Sequence, residues 1–215
     1  MIGDRLVITE YHRENGRKIA EVFLSKYRNI GRPTAVTVAG ESGSGKSETA
    51  AALAEILEKE GLKTLILGQD DYFKLPPKSN SERRRRGIEW VGMGEVNMDL
   101  MDEHLHAAQN AQPRIVKPLV FFEEDRIDKE TLSLEGVDVL IAEGTYTTAL
   151  DAADFRAFID ADYHQTLSHR KKRARDEVEG AFIEQVLEIE HQIISSHKVR
   201  ADIVLPPNPD TQDTP

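Results

Sequence analysis

The sequence contains no cysteine, so it can form neither a disulfide framework nor a thiolate metal site. It also lacks any apolar run near the roughly 20 residues that cross a bilayer, and no hydrophobic segment of a signal peptide follows its first residues. An excess of basic charge is missing as well: the net charge is −10, which argues against general affinity for DNA or RNA. We therefore expect a cytoplasmic protein with neither a membrane nor a nucleic-acid partner.

The composition indicates one folded domain. The 215 residues are 39% hydrophobic and 31% charged, which is typical of a soluble globular chain with a sizeable core. Apolar residues recur at helical spacing between Ile19 and Tyr27 and predict an amphipathic helix. We expect residues 1–33 to form a helical extension packed on the domain, residues 34–206 to form the domain itself, and residues 207–215 to form a loose tail.

The most informative segment runs from Gly40 to Ser47 and fits G-x-x-x-x-G-K-[ST], the phosphate-binding loop of nucleoside triphosphate enzymes. Its glycines let successive backbone N–H groups point at one phosphate, while Lys46 reaches the β- and γ-phosphates and Ser47 ligates Mg²⁺. An apolar, β-branched segment precedes the loop, and a run of helix formers follows it. We assign nucleotide binding to Gly40, Glu41, Ser42, Gly43, Ser44, Gly45, Lys46, Ser47 and Glu48.

Strand-like and helix-like segments alternate along the rest of the chain. Further strands are predicted within 63–68, 137–142, 155–162 and 202–205, and helices over 98–109, 163–178 and 181–197. Residues 114–122 are predicted to be extended, as in a hairpin, and residues 74–98 to make a long irregular excursion near the substrate. The alternation predicts an α/β fold, a P-loop three-layer α/β/α architecture around a mainly parallel sheet.

Two acidic positions follow predicted strands at the edge of the sheet where ligands bind. Asp70 follows the second strand, where a carboxylate can take the proton of a substrate hydroxyl or hold Mg²⁺. Asp71 is adjacent and is the alternative candidate for the same role. Glu143 ends another strand and can hold the Mg²⁺ hydration shell beside Ser47. The simpler alternative for each is a helix cap or a surface carboxylate.

A dense basic run, residues 169–176, stands out in this acidic protein. On a helix, Arg170 and Arg173 share a face, as do Lys171 and Arg175. Like charges at this spacing repel each other, and a bound triphosphate would relieve the repulsion. A solvated helix face is the simpler alternative.

Other candidates carry weaker signals. Residues 83–86, four consecutive arginines, could steer an anionic substrate or form an exposed, flexible stretch. Tyr72 and Trp90 could stack on a planar or sugar-like substrate or anchor the core. The histidines show no metal-ligand spacing, so we predict no zinc site.

From about Thr34 to Pro206 the sequence resembles the uridine kinase and phosphoribulokinase family of P-loop kinases. The motifs that carry this resemblance are the phosphate loop 40–47, Leu67-Gly68-Gln69-Asp70-Asp71-Tyr72-Phe73, the proline-led segment 117–126, Ile141-Ala142-Glu143-Gly144, Arg173-Ala174-Arg175-Asp176 and the closing segment 198–206. The resemblance implies ATP and Mg²⁺ as cofactors, a small lid that begins near Arg173, and a hairpin whose Arg126 contacts the acceptor. It also implies that Asp70 activates the acceptor hydroxyl. Relatives in this family often form symmetric assemblies, so a homo-oligomer is one possible state of this chain.

The departures from the family pattern concern the acceptor. Val91 and Gly92 stand where uridine kinases usually have Asp and His, and Asn97 stands where a ribose-binding Asp would fall. Phe121 and Asp125 replace an Asp and a His of the hairpin. The catalytic half therefore matches the family, whereas the nucleoside pocket differs.

These observations predict a kinase that transfers the γ-phosphoryl group of ATP to a hydroxyl of a nucleoside, sugar or similar metabolite. The catalytic residues are Lys46, Asp70, Arg170, Arg173 and Arg175; the metal ligands are Ser47, Glu143 and Asp70; the acceptor contacts are Asp70, Tyr72, Trp90 and Arg126. One alternative is a nucleoside triphosphate hydrolase that couples turnover to a conformational change. The other is a nucleotide-binding regulatory protein with little turnover.

Overall fold

The computed structural model describes residues 6–167, 170–171 and 180–208. Its strands are β1 (Thr34–Gly40), β2 (Thr64–Gly68), β3 (Arg114–Phe121), β4 (Arg126–Ser133), β5 (Val139–Gly144), β6 (Phe155–Ile159) and β7 (Ile203–Leu205). Five of them form a parallel sheet in the order β2-β5-β1-β6-β7, and β3 pairs with β4 in an antiparallel hairpin. This architecture confirms the predicted α/β fold with a mainly parallel sheet.

The helices within the described ranges are α1 (Glu10–Tyr27), α2 (Lys46–Lys59), α3 (Pro77–Arg86), α4 (Met98–Gln109) and α5 (Ala181–His197). They cover the two faces of the sheet, because alternate residues of each central strand point to opposite sides. On one face Val36 and Ile141 pack with Phe23 of α1 and Leu53 of α2. On the other face, Leu140 joins residues from α4 and α5. Each helix of the described chain is too short or too polar to cross a membrane.

The parallel register brings three loops together at one edge. β5 lies between β1 and β2, with Ala39 opposite Gly144 and Gly68 opposite Glu143. The carboxyl ends of these strands therefore meet, and the segments that follow Gly40, Gly68 and Gly144 share the edge where ligands bind in open α/β sheets.

Most predicted elements are confirmed. The predicted helices 98–109 and 181–197 coincide with α4 and α5, and the extended segment 114–122 forms the first strand of the hairpin. Of the predicted helix 163–178, residues 168–169 and 172–178 lie outside the described residues, as does the tail beyond Asn208.

The expectation of an irregular excursion over 74–98 is wrong. Helix α3 occupies its first half, and short 3-10 turns at Ile88–Trp90 and Met93–Glu95 follow it. Pro77 is favourable at the first helical position, and arginine is a strong helix former, so the segment up to Gly87 supports a helix. The four arginines are thus helical, and two of them, Arg85 and Arg86, are exposed.

Candidate active site

The phosphate loop connects β1 to α2 through glycines in left-handed conformations. Gly43 has φ 80° and Gly45 has φ 86°, values that L side chains rarely adopt. This geometry turns the backbone directly into α2, which begins at Lys46. The first N–H groups of that helix lack carbonyl partners within it and, together with the helix dipole, favour an anion.

Side chains of the loop also fit a phosphate ligand. Lys46 is buried, and its Nζ donates to the carbonyl oxygen of Glu41 at 2.9 Å, so the ammonium is held over the loop. Glu48 is buried in the first turn of α2. The hydroxyl of Ser44 is buried and has no hydrogen-bond partner among the described residues. A buried donor of this kind is satisfied by a bound phosphate oxygen.

Arg170 lies against the phosphate loop at Gly43. A Cβ placed on Gly43 would lie 2.9 Å from the Arg170 Cγ, so the two residues are in close contact. One guanidinium nitrogen, Nη2, donates to the Tyr163 carbonyl oxygen at 2.9 Å, while Nε and Nη1 are buried without partners among the described residues. Burial lowers the pKa of this guanidinium. An unsatisfied buried cation beside the loop matches the charge of a triphosphate.

The other arginines of the predicted lid, Arg173 and Arg175, lie outside the described residues. Of the basic run, the structure therefore describes only Arg170 and Lys171, and Arg170 lies against Gly43 of the phosphate loop.

Ser47, Glu143 and Asp70 meet beside the loop. The Ser47 hydroxyl donates to Glu143 Oε2 at 3.1 Å. Burial, and then the negative charge of Asp70, raise the pKa of Glu143 to about 7. These residues fit Mg²⁺, which needs only one or two protein carboxylates when substrate phosphates supply further oxygen ligands. No cluster of three or more histidine, aspartate or glutamate ligands occurs in the described ranges.

The two neighbouring aspartates have different environments. Asp71 is buried, accepts from Lys117 Nζ at 2.6 Å and from the Val120 backbone N–H at 3.0 Å, and so holds the hairpin against the sheet. Asp70 is exposed at the end of β2. Of the two carboxylates, Asp70 is therefore the one that an acceptor can reach.

The remaining predicted acceptor contacts are dispersed. Tyr72 is fully buried and its hydroxyl pairs with His104 Nδ1 at 2.8 Å, so it anchors the core and offers no stacking face. Trp90 donates to Asn80 Oδ1 at 2.9 Å and lies under the guanidinium of Arg83.

Arg126 is exposed at the start of β4. It pairs with Asp128 at 2.6 Å and stacks over Phe121 within its own hairpin.

Sequence reasoning missed a buried charge network that joins α3, the following turn and α5. Arg84 Nε donates to Glu95 Oε2 at 2.6 Å, and Arg84 Nη2 donates to Glu190 Oε1 at 2.8 Å. Glu95 is fully buried and also accepts from Asn80 and from the Gly92 backbone. Arg84 stands in a run of four arginines, whereas Glu95 and Glu190 each have an apolar neighbour, and nothing local links the three residues.

A second missed contact ties α5 to the phosphate loop. The His191 ring nitrogen Nδ1 lies 2.5 Å from Glu41 Oε1. The hydrogen bond to Glu41 raises the pKa of His191, whereas burial raises the pKa of Glu41. Helix α5 thus contacts both the phosphate loop, through His191, and helix α3, through Glu190.

The Phosphoribulokinase / Uridine kinase family model matches residues 35–212. The chain is 27% identical over 206 residues to a bifunctional alpha-galactosidase/sucrose kinase of Mediterraneibacter gnavus, covering 90% of this chain but 22% of that protein. It is 29% identical to a uridine kinase of Lactiplantibacillus plantarum, covering 81% of this chain and 87% of the relative.

Among solved structures, a candidate fructose transport system kinase from Silicibacter sp. TM1040 superposes with a TM-score of 0.70 at 20% identity, covering 89% of this chain and 98% of that one. This likeness shows the fold. The family match extends over most of the chain and includes the phosphate loop, Asp70 and Glu143. The chain belongs to the phosphoribulokinase and uridine kinase family and is a phosphotransferase that acts on a hydroxyl group.

Proposed function

We propose that the protein transfers the γ-phosphoryl group of ATP to a hydroxyl of a sugar, a nucleoside or a similar small metabolite. The observation that carries this proposal is the position of Asp70. Its exposed carboxylate stands at the end of β2 beside the Ser47–Glu143 pair, on the sheet edge shared with the phosphate loop. A hydrolase or a regulatory nucleotide-binding protein has less need for a carboxylate that an acceptor can reach at this point.

The residues of the phosphate loop hold the donor in this proposal. Backbone N–H groups of the loop bind the phosphates, and Lys46 binds the β- and γ-phosphates. Ser47 and Glu143 hold Mg²⁺, with Asp70 near its hydration shell. Mg-ATP supplies the transferable phosphoryl group and a cation that offsets its charge.

The charge that develops on the phosphoryl group needs fixed donors. Arg170 already lies against Gly43 with two unsatisfied donors, so it can bind phosphate oxygens with little rearrangement. We assign the same role to Arg173 and Arg175 when the lid covers the site.

On the acceptor side, Asp70 orients the attacking hydroxyl and takes its proton. Trp90 and Arg126 are the proposed outer contacts of the acceptor.

The named relatives support a carbohydrate-like or nucleoside acceptor. A sucrose kinase and a uridine kinase both match more than four fifths of this chain. Both act on uncharged hydroxyl compounds, although the first relative is much longer than this chain. The altered segment at Val91 and Gly92 makes uridine itself a weaker candidate than a sugar.

The test is Asp70→Asn, which keeps the shape of the side chain but removes the base. We expect phosphoryl transfer to fall about 100-fold or more, as for loss of a general base, while ATP binding is kept. ADP release and the mass of the product would be measured against a panel of sugars and nucleosides. Asp99→Asn, an exposed position in the first turn of α4, is the matched control.

Near-normal transfer by Asp70→Asn would show that the proposed base is wrong. Steady ADP release that no acceptor changes would instead favour the hydrolase, and ATP binding without turnover would favour the regulatory protein.

A further inference from the structure

A polar wall lies between the phosphate loop and helix α3. It consists of Arg84, Glu95, Tyr146 and Glu190, and we call it the acceptor wall. Arg84 bridges the two carboxylates, 2.6 Å from Glu95 and 2.8 Å from Glu190. The Tyr146 side chain is close enough for the charges of the other three residues to act on its hydroxyl.

The acceptor wall adjoins the reacting groups. The backbone N–H of Tyr146 donates to Gln69 Oε1 at 2.8 Å, and Gln69 directly precedes Asp70. Glu190 lies within electrostatic range of Lys46, and Arg170 lies within range of Glu190. The wall therefore lies next to the residues assigned to the acceptor hydroxyl and to the phosphates, Asp70, Lys46 and Arg170.

The hydroxyl of Tyr146 is unsatisfied. Its side chain is 1% exposed, and the hydroxyl has no hydrogen-bond partner among the described residues. Burying such a group costs free energy unless a ligand supplies the missing hydrogen bond. Since a Tyr hydroxyl both donates and accepts, a hydroxyl of a bound polyol would satisfy it.

The charge of the wall also limits the acceptor. Two carboxylates face one guanidinium, so the wall carries a net charge of −1 when all three residues are ionised. Lys46 and Arg170, two other cations within range of Glu190, are assigned to the phosphates of ATP. Two cations of the hairpin are paired within the structure, Lys117 with Asp71 and Arg126 with Asp128. Carboxylates accept hydrogen bonds from sugar hydroxyls, whereas a second anion there meets like charge.

We propose that the acceptor wall binds the hydroxyl groups of the acceptor and selects an uncharged polyol, such as a free sugar, over its phosphorylated or carboxylated counterpart. This inference rests on the proposed function and adds the substrate class. In this arrangement Tyr146 and Glu190 contact the acceptor, and Arg84 holds Glu190 in place through its bridge to the buried Glu95.

The first experiment compares matched pairs of acceptors with the intact protein and Mg-ATP: fructose and fructose 6-phosphate, uridine and uridine monophosphate, and glycerol and glycerate. We expect at least one neutral member to be phosphorylated with a kcat/KM about 100-fold above that of its anionic partner, because like charge at an interface costs several kcal/mol. Preference for the anionic members would overturn the inference and leave the proposed function intact. ADP release that none of these compounds changes, with no thermal shift from any neutral one, would overturn both.

Two variants test the wall itself with the best neutral acceptor. Tyr146→Phe removes only the hydroxyl, so we expect the KM of the acceptor to rise roughly 3- to 10-fold, the value of one neutral hydrogen bond, with the KM of ATP unchanged. Because that hydroxyl has no hydrogen-bond partner within the described ranges, thermal stability without the acceptor should stay the same or rise. A fall in stability with an unchanged KM would mean a structural role only. Tyr27→Phe, which removes a hydroxyl bonded to the Asp154 carbonyl oxygen elsewhere, is the control.

Glu190→Gln tests charge selection, since it neutralises one carboxylate and keeps its shape. We expect the discrimination against the phosphorylated partner to shrink about 10-fold, roughly the effect of one like charge. Glu188→Gln alters an exposed residue of the same helix and should leave the ratio unchanged. Equal ratios in both variants would overturn the proposed role of Glu190.

Discussion

The two proposed halves of the cleft, one for the phosphoryl donor and one for the acceptor, are built in different ways. The donor half is the contiguous segment Gly40–Ser47, whose backbone conformation by itself creates the phosphate site. The acceptor half depends on long-range contacts: Arg84 reaches Glu95, 11 positions away, and Glu190, 106 positions away.

This difference affects how each half responds to substitution. A site made of backbone N–H groups and glycine conformations tolerates changes of neighbouring side chains but depends on a few fixed positions. A site made of buried ion pairs is different, because removal of either partner leaves an uncompensated charge. Within one family, the first kind of site can stay constant while the second is rebuilt for another acceptor.

The largest effect should come from the donor half, with little cost in stability. Lys46→Ala removes the cation proposed to bind the transferring phosphoryl group, and we expect turnover to fall at least about 100- to 1000-fold, as for loss of one transition-state donor. Urea unfolding should change little, because the loop conformation is set by the glycines. Lys59→Ala, at the exposed end of α2, is the control. A fall in the free energy of unfolding large enough to explain the lost turnover would contradict the expected difference between the two halves.

The acceptor half should show the reverse pattern. Arg84→Met leaves the fully buried Glu95 without its charge partner, and we expect the free energy of unfolding to fall by about 3–5 kcal/mol. Arg86→Met removes an exposed arginine of the same helix that pairs with Glu82, so its effect should stay within about 0.5 kcal/mol. Urea unfolding of the two variants measures the difference. Similar losses in both would show that the buried network does not support this half.

The same contrast explains what could be predicted from the sequence. The phosphate loop, β1 and the start of α2 follow from local rules, and the fixed order of strand, glycine loop and helix identifies them. The strand ends at Asp70 and Glu143 follow from apolar runs and the topology of parallel sheets. The sequence left the choice between Asp70 and Asp71 open, because burial of Asp71 against Lys117 depends on where the hairpin docks.

The acceptor half was less predictable for a related reason. Tyr72 and Arg84 have the same local signals as surface loop residues, yet tertiary contacts bury Tyr72 fully and Arg84 in large part. The pairs Arg84–Glu190 and Tyr72–His104 join segments distant in the chain, so no spacing rule predicts them.

A pH experiment distinguishes the metal site from the network around Arg84. Glu143 has its pKa raised to about 7 by burial and by Asp70, so between about pH 4.5 and 7 the folded state holds a proton that the unfolded state lacks. Stability of the nucleotide-free protein should therefore fall as pH rises through this window. The side chain of Glu143→Gln stays neutral at every pH in this range. Above pH 7 the variant should therefore be more stable than the wild type by on the order of 2 kcal/mol.

Thermal unfolding at pH 5 and pH 8, with and without Mg-ATP, measures the effect. Mg-ATP should reduce the difference in stability between Glu143→Gln and the wild type at pH 8. The bound Mg²⁺ would offset the charge of the Glu143 carboxylate, which is otherwise buried in its ionised form. A difference that is equal at both pH values would contradict the assigned ionisation of Glu143.

The smallest expected effect concerns how the hairpin holds α3, which carries Arg84. Asp125, in the hairpin turn, accepts from the Lys78 backbone N–H at 2.6 Å and from the Ser79 hydroxyl at 2.7 Å, so it caps α3 from outside the helix. Burial raises its pKa, but hydrogen bonds from Ser79 and Lys78 outweigh that effect and hold the pKa below its usual value. This carboxylate thus stabilises the fold above its unfolded pKa, and that contribution is lost as the pH falls through the lower folded pKa.

Asp125→Asn keeps the side-chain shape and tolerates the positive φ of 48° at this position. At pH 7 we expect a loss of about 0.5 kcal/mol, the value of a cap reduced by solvent screening, and no difference from the wild type near pH 2. Glu123→Gln changes a neighbouring exposed carboxylate, and its side chain does not cap α3, so it serves as the control in the same pH-dependent unfolding series. If Asp125→Asn costs no more than the control, the Asp125 cap does not stabilise α3, and the Arg84 network becomes the main candidate for the contact that holds this helix in place.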